Sequence, residues 1–463
     1  MSEYYKKFLK DSEQVAFDTF HREKINNTIE KYNIAVRSGK RQYENLDLAK
    51  NRAAGIKHKV LENLDKYLYE FELNFENNGG RIIWAPSASD ALKAIVAILK
   101  RNKAKLVVKS KSMITEELEL NKVLENESIE TLETDLGEFI VQVANEKPYH
   151  IVTPAMHKSK EEVAELFSEK FGIDKSSTPE QISAFVREKL RDKFINADVG
   201  ITGVNFLIAE TGSLVLTENE GNGVLTSSIP KIHIAISGIE KIIPTLRDLD
   251  LFLPLLAVHG TGQNITAYNS IISGPKQNDE TDGPEELYLV LLDNRRTEIL
   301  KHKELRRSLS CIRCGACLNA CPVYKNVGGY TYNSTYTGPI GAIITPHLRG
   351  MNEFGHLSFA STLCGKCTEV CPVNINLHEL LLINRQELVK FGIVSKKERQ
   401  TQKWTYRVLK KRKRMEIANA TLKNRAINLL FKKTWGPRRT LPVFAEKSFN
   451  KIWEEKNKEK NKS

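Results

Sequence analysis

Seven cysteines, all between residues 311 and 371, constrain this chain more than any other feature. They read Cys311-x2-Cys314-x2-Cys317-x3-Cys321-Pro322 and then Cys364-x2-Cys367-x3-Cys371-Pro372. The first run has the spacing with which bacterial ferredoxins bind iron–sulfur clusters, and the second repeats it without its first cysteine. Alignment of the two prolines places Ser361 at the vacant position. Structural zinc sites use simpler cysteine pairs, and disulfides would leave one of seven cysteines over, so the pattern predicts iron–sulfur ligation.

The spacing also predicts which thiolates share a cluster. Three cysteines two residues apart wrap one cubane, and the cysteine before proline ligates the other cluster. One [4Fe-4S] cluster is therefore expected on Cys311, Cys314, Cys317 and Cys371, and a second on Cys321, Cys364 and Cys367. The fourth ligand of the second cluster would be Ser361, water, a group from a partner, or none. In the last case the second cluster would be [3Fe-4S].

Length and charge limit the other possibilities. A chain of 463 residues exceeds one ordinary core, so two or three domains are expected. It has no apolar run as long as a membrane span and no signal-peptide stretch near Met1, and the clustered cysteines favour the reducing cytoplasm. The net charge is +13, but residues 396–439 contain 16 Lys and Arg and two acids, so the remainder is close to neutral. The high pI therefore describes one segment and does not indicate a nucleic-acid-binding protein.

The pattern of apolar residues divides the chain into four regions. Residues 1–75 read as helical, and the next region alternates strands and helices, which favours an α/β layer with a parallel sheet. The expected domains are 1–75 (N-terminal helices), 76–296 (α/β domain), 297–390 (α-helical ferredoxin-type two-cluster domain) and 391–463 (basic helical tail). Within the α/β region we expect a strand at residues 150–154, an unbroken helix from 112 to 126, and a short helix around 239–246.

Several polar motifs of the α/β region could form a ligand site. Glu210-Thr211-Gly212-Ser213 is interpreted as a ligand-facing loop or a strand-to-strand turn, with a nucleophilic glutamate as the catalytic alternative. Residues 218–223 read as a turn, because no helix start is evident after their glycines. Residues 109–112 suit either anion binding at a helix N-terminus or capping by Ser112. Glu133 and Asp135 end a strand, where open α/β sheets bind ligands.

The histidines of this region are scattered. His150, His157, His233 and His259 form no metal-binding pair, and each reads as structural or solvent-facing, although one of them could act as a base. No catalytic residue is predicted. The basic tail contains Trp404, Tyr406 and Trp435. Its Lys and Arg residues could simply form a solvated helix face. Otherwise the tail would dock to an acidic partner, to an anionic membrane surface, or to nucleic acid. Partner docking is favoured, and nucleic acid is the least favoured.

Six segments carry a family resemblance: residues 107–121, 133–159, 201–216 and 290–296 and both cysteine runs. They resemble the lactate utilisation protein B family of bacterial iron–sulfur proteins. The resemblance implies an α/β domain similar in fold to CoA transferases and sugar-phosphate isomerases. It also implies a role in oxidising L-lactate to pyruvate. The implied partners are two sister proteins, a heterodisulfide-reductase-like subunit and a subunit with the same α/β domain but no cysteines.

The resulting hypothesis is an iron–sulfur electron-transfer subunit rather than a stand-alone enzyme. It would be cytoplasmic, with peripheral membrane contact through the tail as a further option. The rival hypothesis makes the α/β domain an enzyme or ligand sensor whose clusters are structural or redox-sensing.

Overall fold

The computed structural model describes residues 2–394, 396–435 and 440–460. The chain divides into two compact units between Leu388 and Val389. Within the described ranges, no helix is long and apolar enough to span a membrane.

Four helices open the first unit, as the sequence predicts: α1 (Glu3–Phe17), α2 (Thr19–Gly39), α3 (Leu46–Glu62) and α4 (Leu64–Asn77). Side-chain caps start the first three, because Ser2 accepts the amide of Tyr5, Asp18 that of His21 and Asn45 that of Leu48. On α4 the apolar residues recur every three or four positions, and Phe71 and Phe75 are fully buried.

The α/β region follows. Its strands are β1 (Arg81–Ala85), β2 (Leu106–Lys109), β3 (Glu130–Glu133), β4 (Val199–Gly203), β5 (Phe206–Ile208), β6 (Ser213–Glu218), β7 (Ile232–Gly238), β8 (Ile242–Ile243), β9 (Tyr268–Ile272) and β10 (Glu286–Leu292). Its helices are α5 (Ala88–Arg101), α6 (Met113–Glu117), α7 (Leu120–Asn126), α8 (Leu136–Val143), α9 (Lys160–Phe171), α10 (Pro179–Ile195), α11 (Asn222–Ser228) and α12 (Leu249–Gly260).

Two sheets form from these strands. The larger has the order β1-β10-β7-β4-β2-β3, and all its neighbours are parallel. Every residue of β7 is buried, as expected for a strand in the middle of a parallel sheet covered on both faces. The smaller sheet has the order β8-β5-β6-β9 and contains the antiparallel pair β5–β6. A mixed α/β architecture with a parallel sheet is therefore confirmed.

The cysteine region completes the first unit with α13 (Arg296–Lys301), α14 (Ala316–Ala320), α15 (Pro322–Val327), α16 (Gly338–Arg349), α17 (Met351–Phe354), α18 (Lys366–Glu369) and α19 (Leu377–Lys390). One buried apolar cluster joins it to the N-terminal helices. Phe8, Ile25 and Ala53 belong to this cluster together with Leu318 and Ile343. The helices ahead of the α/β region thus share a core with the segment that contains the cysteines.

The second unit contains α20 (Lys396–Leu409), α21 (Arg412–Met415), α22 (Ala420–Trp435) and α23 (Phe449–Lys460). Trp404 and Tyr406 are exposed on α20. The side chain of Trp435 and residues 436–439 lie outside the described residues.

Four local predictions fail for identifiable reasons. Residues 150–154 form no strand, because the amides of Val152 and Thr153 turn back to the ring of His150. The helix expected over 112–126 breaks at Glu119, which has a left-handed φ of 52°. Residues Ile239–Lys241 form a 3-10 turn that leads into β8. The segment 218–223 is more than a turn, since α11 begins directly after Gly221.

Candidate metal centre

The cysteines lie in two groups. Burial raises the pKa of the Cys314 thiol, and the nearby charges of Cys311 and Cys371 raise it further. Burial and the same two charges also raise the pKa of the Cys317 thiol. Burial likewise raises the pKa of Cys367, to about 11, with a further contribution from Cys321 and Cys364. The structure therefore brings Cys371 to the first three cysteines and Cys321 to the later pair. All seven thiols are free of disulfides.

The two loops that present these cysteines have the same backbone conformation. Arg313 and Leu363, one residue before Cys314 and Cys364, both have positive φ, at 63° and 56°. Gly315 and Gly365, one residue after, have φ of 79° and start the short helices α14 and α18. Glycine adopts this left-handed conformation without the steric cost of a Cβ.

Ser361 takes the place of Cys311 in this repeat. The sulfur of Cys311 accepts the amide of Arg313 at 3.4 Å, and the hydroxyl of Ser361 accepts the amide of Leu363 at 3.1 Å. Both side chains therefore hold the amide two residues ahead, at equivalent positions of equivalent loops.

The two groups differ in exposure. In the first group, Cys314, Cys317 and Cys371 are buried and Cys311 is half-buried. In the second group, Cys321 and Cys367 are buried and only Cys364 is exposed. Hydrogen bonds from the amide of Lys366 and the side chain of Thr362 lower the pKa of the Cys364 thiol. The second group is therefore open to solvent at Cys364.

The sulfur spacing fits a cluster better than a single ion. Four thiolates around one zinc ion, with Zn–S bonds of about 2.3 Å, would lie roughly 3.8 Å apart. Among the described residues, the only trio of metal-ligating groups within 4.8 Å of one another is Glu116, Glu133 and Glu138. No three of the seven cysteine sulfurs therefore lie as close together as the ligands of one zinc ion would.

A cavity of about 400 Å³ lies at the carboxyl end of the parallel sheet. Residues directly after β2, β4 and β7 line it, and so do Arg313 and Cys314 of the first cysteine loop. Open α/β sheets bind ligands at this edge. The first cysteine group therefore borders the place where the sheet would accept a ligand.

A buried ion-pair network connects the sheet to the cysteine loop. Arg296 makes two hydrogen bonds to the carboxylate of Glu117 and a third to Glu240 at 2.8 Å. Glu240 also lies 3.4 Å from Arg313, whose guanidinium stacks 4.5 Å from the ring centroid of Tyr336. Burial alone would raise the pKa of Glu240, but the two arginines outweigh burial and lower it to about 2.

Two lysines lie near this network. Lys57 is fully buried and donates to the carbonyl oxygens of Glu240 and Ile242, and burial lowers its pKa to about 7. Lys241 lines the cavity, and burial together with the Arg313 charge lowers its pKa to about 8. Within the described part of the chain, the ammonium of Lys241 makes no hydrogen bond and no ion pair.

Acidic side chains lie elsewhere on the cavity wall. Glu218 accepts the amides of Gly223 and Val224, and Glu220 accepts the amide of Leu136. Burial raises the pKa of Glu220 to about 7, and the charge of Asp135 adds to the effect. The wall therefore has an acidic part in addition to its cations.

The remaining candidates have structural partners. Lys109 is fully buried and pairs with Glu133 at 2.7 Å, and it also donates to Thr115 in the first turn of α6, which Ser112 caps. Glu210 accepts the amide of Leu246 beside the turn at Gly212 (φ 62°).

The four histidines are also accounted for by local contacts. His157 lies 2.7 Å from Glu146, His233 bonds Thr202, His259 bonds the carbonyl of Leu255, and His150 holds its own turn. None of them lines the cavity.

Sequence reasoning missed Arg296, Glu240 and Lys241. The one available signal was their position after β7 and β10, because residues beyond the carboxyl ends of parallel strands gather at one edge.

Known proteins match this chain in two regions. The LUD domain matches residues 68–292, and the 4Fe-4S dicluster domain matches residues 307–375. Lactate utilization protein B of Bacillus cereus (strain AH820) is 49% identical over 335 residues, which are 72% of this chain and 70% of the relative, and lactate utilization protein B 2 of Bacillus mycoides (strain KBAB4) matches to the same extent.

A crystal structure of a DUF162 family protein from Deinococcus radiodurans aligns with 50% of this chain and 98% of its own, at 16% identity and a TM-score of 0.29. The family predicted from the sequence motifs is confirmed by the two domain matches and the Bacillus relatives: the chain belongs to the lactate utilization protein B family.

Proposed function

We propose that this chain is the iron–sulfur electron-transfer subunit of a system that oxidises L-lactate to pyruvate. The observation that carries the proposal is the gathering of all seven cysteines into two groups, of which only the second has an exposed member, Cys364. A buried centre protects an electron from side reactions, and an exposed centre exchanges it with another protein. The printed names of the Bacillus relatives supply the link to lactate.

The ligand sets follow the two groups. Cys311, Cys314, Cys317 and Cys371 would hold the first [4Fe-4S] cluster, and Cys321, Cys364 and Cys367 the second. When bound, each cluster would accept and release one electron at a time. Backbone amides of Arg313 and Ile375 donate to the sulfurs of Cys311 and Cys371, both at 3.4 Å. Such hydrogen bonds to ligating sulfurs tune the reduction potential of a cluster.

Ser361 stands where the second cluster lacks a cysteine. Its hydroxyl, water, a partner's group or no ligand would complete that site, and the last case gives [3Fe-4S]. Because the two loops have the same backbone conformation, we expect each site to hold either a [4Fe-4S] cluster or a [3Fe-4S] cluster that lacks one iron of it.

Anaerobic reconstitution tests the ligand sets. Iron and sulfide analysis should give seven to eight iron atoms per chain. Cys371→Ser should remove the same EPR signal as Cys314→Ser, and Cys321→Ser the same signal as Cys364→Ser. Ser310→Ala, a buried change just ahead of the first run, is the matched control. Two iron atoms or fewer in the parent protein, or variants that group by order in the chain, would overturn the assignment.

Deletion of the gene tests the link to lactate. In a strain without another lactate dehydrogenase, loss of this chain should abolish growth on L-lactate, and a Cys314→Ser copy should fail to restore it. Unimpaired growth contradicts the proposal.

The cavity favours a second candidate function, in which the α/β domain acts as an enzyme or sensor and the clusters are structural or redox-sensing. Cys314→Ala separates the two. Activity that survives loss of the cluster supports the second candidate, and activity that disappears while the domain stays folded supports electron transfer.

We further infer the partners and the domain limits. The lactate system would include a heterodisulfide-reductase-like subunit and a cysteine-free subunit with the same α/β domain. The basic tail (391–463), which exposes Trp404 and Tyr406, would dock on an acidic partner or on a peripheral membrane surface, with the chain in the cytoplasm. Domains 1–75, 76–296 and 297–390 would precede it, the second with a CoA-transferase-like fold.

A further inference from the structure

The cavity beside Cys314 contains a cation that the protein itself leaves unused. Lys241 lines the cavity, and its ammonium makes no hydrogen bond and no ion pair among the residues that the structure describes. Lys241 is half-buried, and a charge that is partly removed from water is stabilised by an opposite charge. The missing partner is therefore expected to arrive from outside, as an anion.

A second cation lies on the same wall. The side chain of Arg313 is 10% exposed and touches Glu240 only at 3.4 Å, and its Nη1 has no partner within the described residues. Glu240 is shared with Arg296, which holds it more closely at 2.8 Å. Arg296 therefore has carboxylate partners in Glu117 and Glu240, whereas the Lys241 ammonium and the Arg313 Nη1 have no hydrogen-bond partner among the described residues.

The acidic part of the wall limits the charge of the ligand. Asp135, Glu218 and Glu220 all line the same cavity. These carboxylates would repel a second anionic group on the ligand. They would repel the neutral hydroxyl or carbonyl oxygens of a singly charged ligand much less. The arrangement favours one carboxylate over a phosphate.

We propose that this cavity binds a small organic acid with one carboxylate, of the 2-hydroxy or 2-oxo acid class. Lys241 is the counter-ion of the carboxylate, and Arg313 contributes the second positive charge. Since Cys314 also lines the cavity, the bound acid lies beside the first cysteine group. This chain therefore contacts the substrate class of the lactate system directly, an inference that deepens the proposed function and takes its choice of acid from it.

Calorimetric titration of the full-length, anaerobically reconstituted protein tests the inference. Oxamate, an unreactive analogue of pyruvate, and L-lactate should bind with one site per chain. L-lactamide, which has no carboxylate, should bind at least tenfold more weakly, and inorganic phosphate more weakly than oxamate. Lys241→Met should weaken oxamate binding at least tenfold, and Lys241→Arg should retain part of it.

The matched control is Lys231→Met. Lys231 precedes β7 at the opposite end of the sheet and is exposed, so its loss should leave oxamate binding unchanged. Equal binding of lactamide and lactate, tighter binding of phosphate, or an unaffected Lys241→Met protein overturns the inference. Should Lys241→Met not fold, Lys241→Gln and the lactamide comparison still decide.

A spectroscopic signal adds an independent readout. Oxamate should alter the EPR signal that Cys314→Ser removes and leave the signal that Cys364→Ser removes unaltered. Iron analysis of the same sample distinguishes failure of the ligand-binding inference from failure of the electron-transfer proposal. A protein with full clusters that binds no oxamate refutes the inference alone, and a protein that binds oxamate but no iron refutes the electron-transfer proposal.

Discussion

At position 361 a hydroxyl oxygen occupies the place that a sulfur occupies at position 311. Both atoms accept the amide two residues ahead, within loops that share their positive-φ residues. The repeat of the cysteine spacing predicts this equivalence, because the spacing determines which residues can face one cluster. Spacing carries no information about Lys241 or Glu240, which distant strands bring to the cysteine loop.

Ser361→Cys is expected to give the second cluster a fourth thiolate. Because Ser361 occupies the loop position that corresponds to Cys311, the backbone need not move. The second cluster's EPR signal should change, and iron loss from that cluster in air should slow. Asn352→Cys, at an exposed position of α17, is the control and should change neither. An unaltered signal and rate would mean that Ser361 is not the vacant position.

Glu138→Gln should stabilise the protein, and more so as the pH rises. Burial raises the pKa of Glu138 well above the usual carboxyl value of 4.5, and the charge of Glu133 adds to the effect. As the pH rises past that value, the unfolded chain loses its proton first, so folding becomes progressively less favourable until the native pKa is passed. Glutamine resembles the protonated form and escapes this penalty, which grows by about 1.4 kcal/mol per unit of pKa shift.

Melting temperatures of parent and variant, measured anaerobically at one scan rate, check this expectation. The advantage of Glu138→Gln should be larger at about pH 8 than at about pH 5. Glu169→Gln, at an exposed position of α9, should give a difference that does not grow with pH. An advantage that is independent of pH would show that Glu138 is ionised in the folded protein.

The sequence predicts the helices and strands whose apolar residues recur at regular spacing. It does not predict the segments whose conformation depends on local polar contacts. Strand β7 and helix α5 follow from apolar periodicity. Residues 150–154 are apolar enough for a strand, but the His150 ring takes the amides that a neighbouring strand would need. The sequence predicts a turn at residues 218–223, but Gly221, whose φ is left-handed, is the N-cap of α11.

The glycines of the two cysteine loops give an element-scale prediction. At Gly365 an added Cβ meets no atom within 4 Å, so Gly365→Ala costs only the left-handed backbone, about 1–2 kcal/mol. At Gly315 the Cβ would also lie 3.0 Å from Val152, so Gly315→Ala should cost more. Gly55→Ala, in the open middle of α3, should instead stabilise by about 0.5–1 kcal/mol. Anaerobic denaturant titrations measure this order, and equal costs at Gly315 and Gly365 would contradict the contact argument.

For the whole molecule, the contrast in exposure between the two cysteine groups predicts an order of damage. Cys364 is the only exposed cysteine of the seven, so oxygen should reach the second cluster first, on the side of Cys364. Iron release in air should therefore have a fast and a slow phase, with the fast phase absent from Cys364→Ser. A single phase, or a fast phase that disappears in Cys314→Ser, would contradict this order.

The apolar core that the N-terminal helices share with the cysteine segment links damage to turnover. Phe8, Ile25 and Ala53 pack in the same buried cluster as Cys314, Cys317, Cys367 and Cys371. If the clusters support that core from within, their loss should loosen the packing of α1 and α2, which faster proteolysis of the cluster-free chain near its N-terminus would show. The loosened helices would be cleaved by cellular proteases, so the cell would degrade an oxidised copy instead of accumulating an inactive subunit that competes for the same partners.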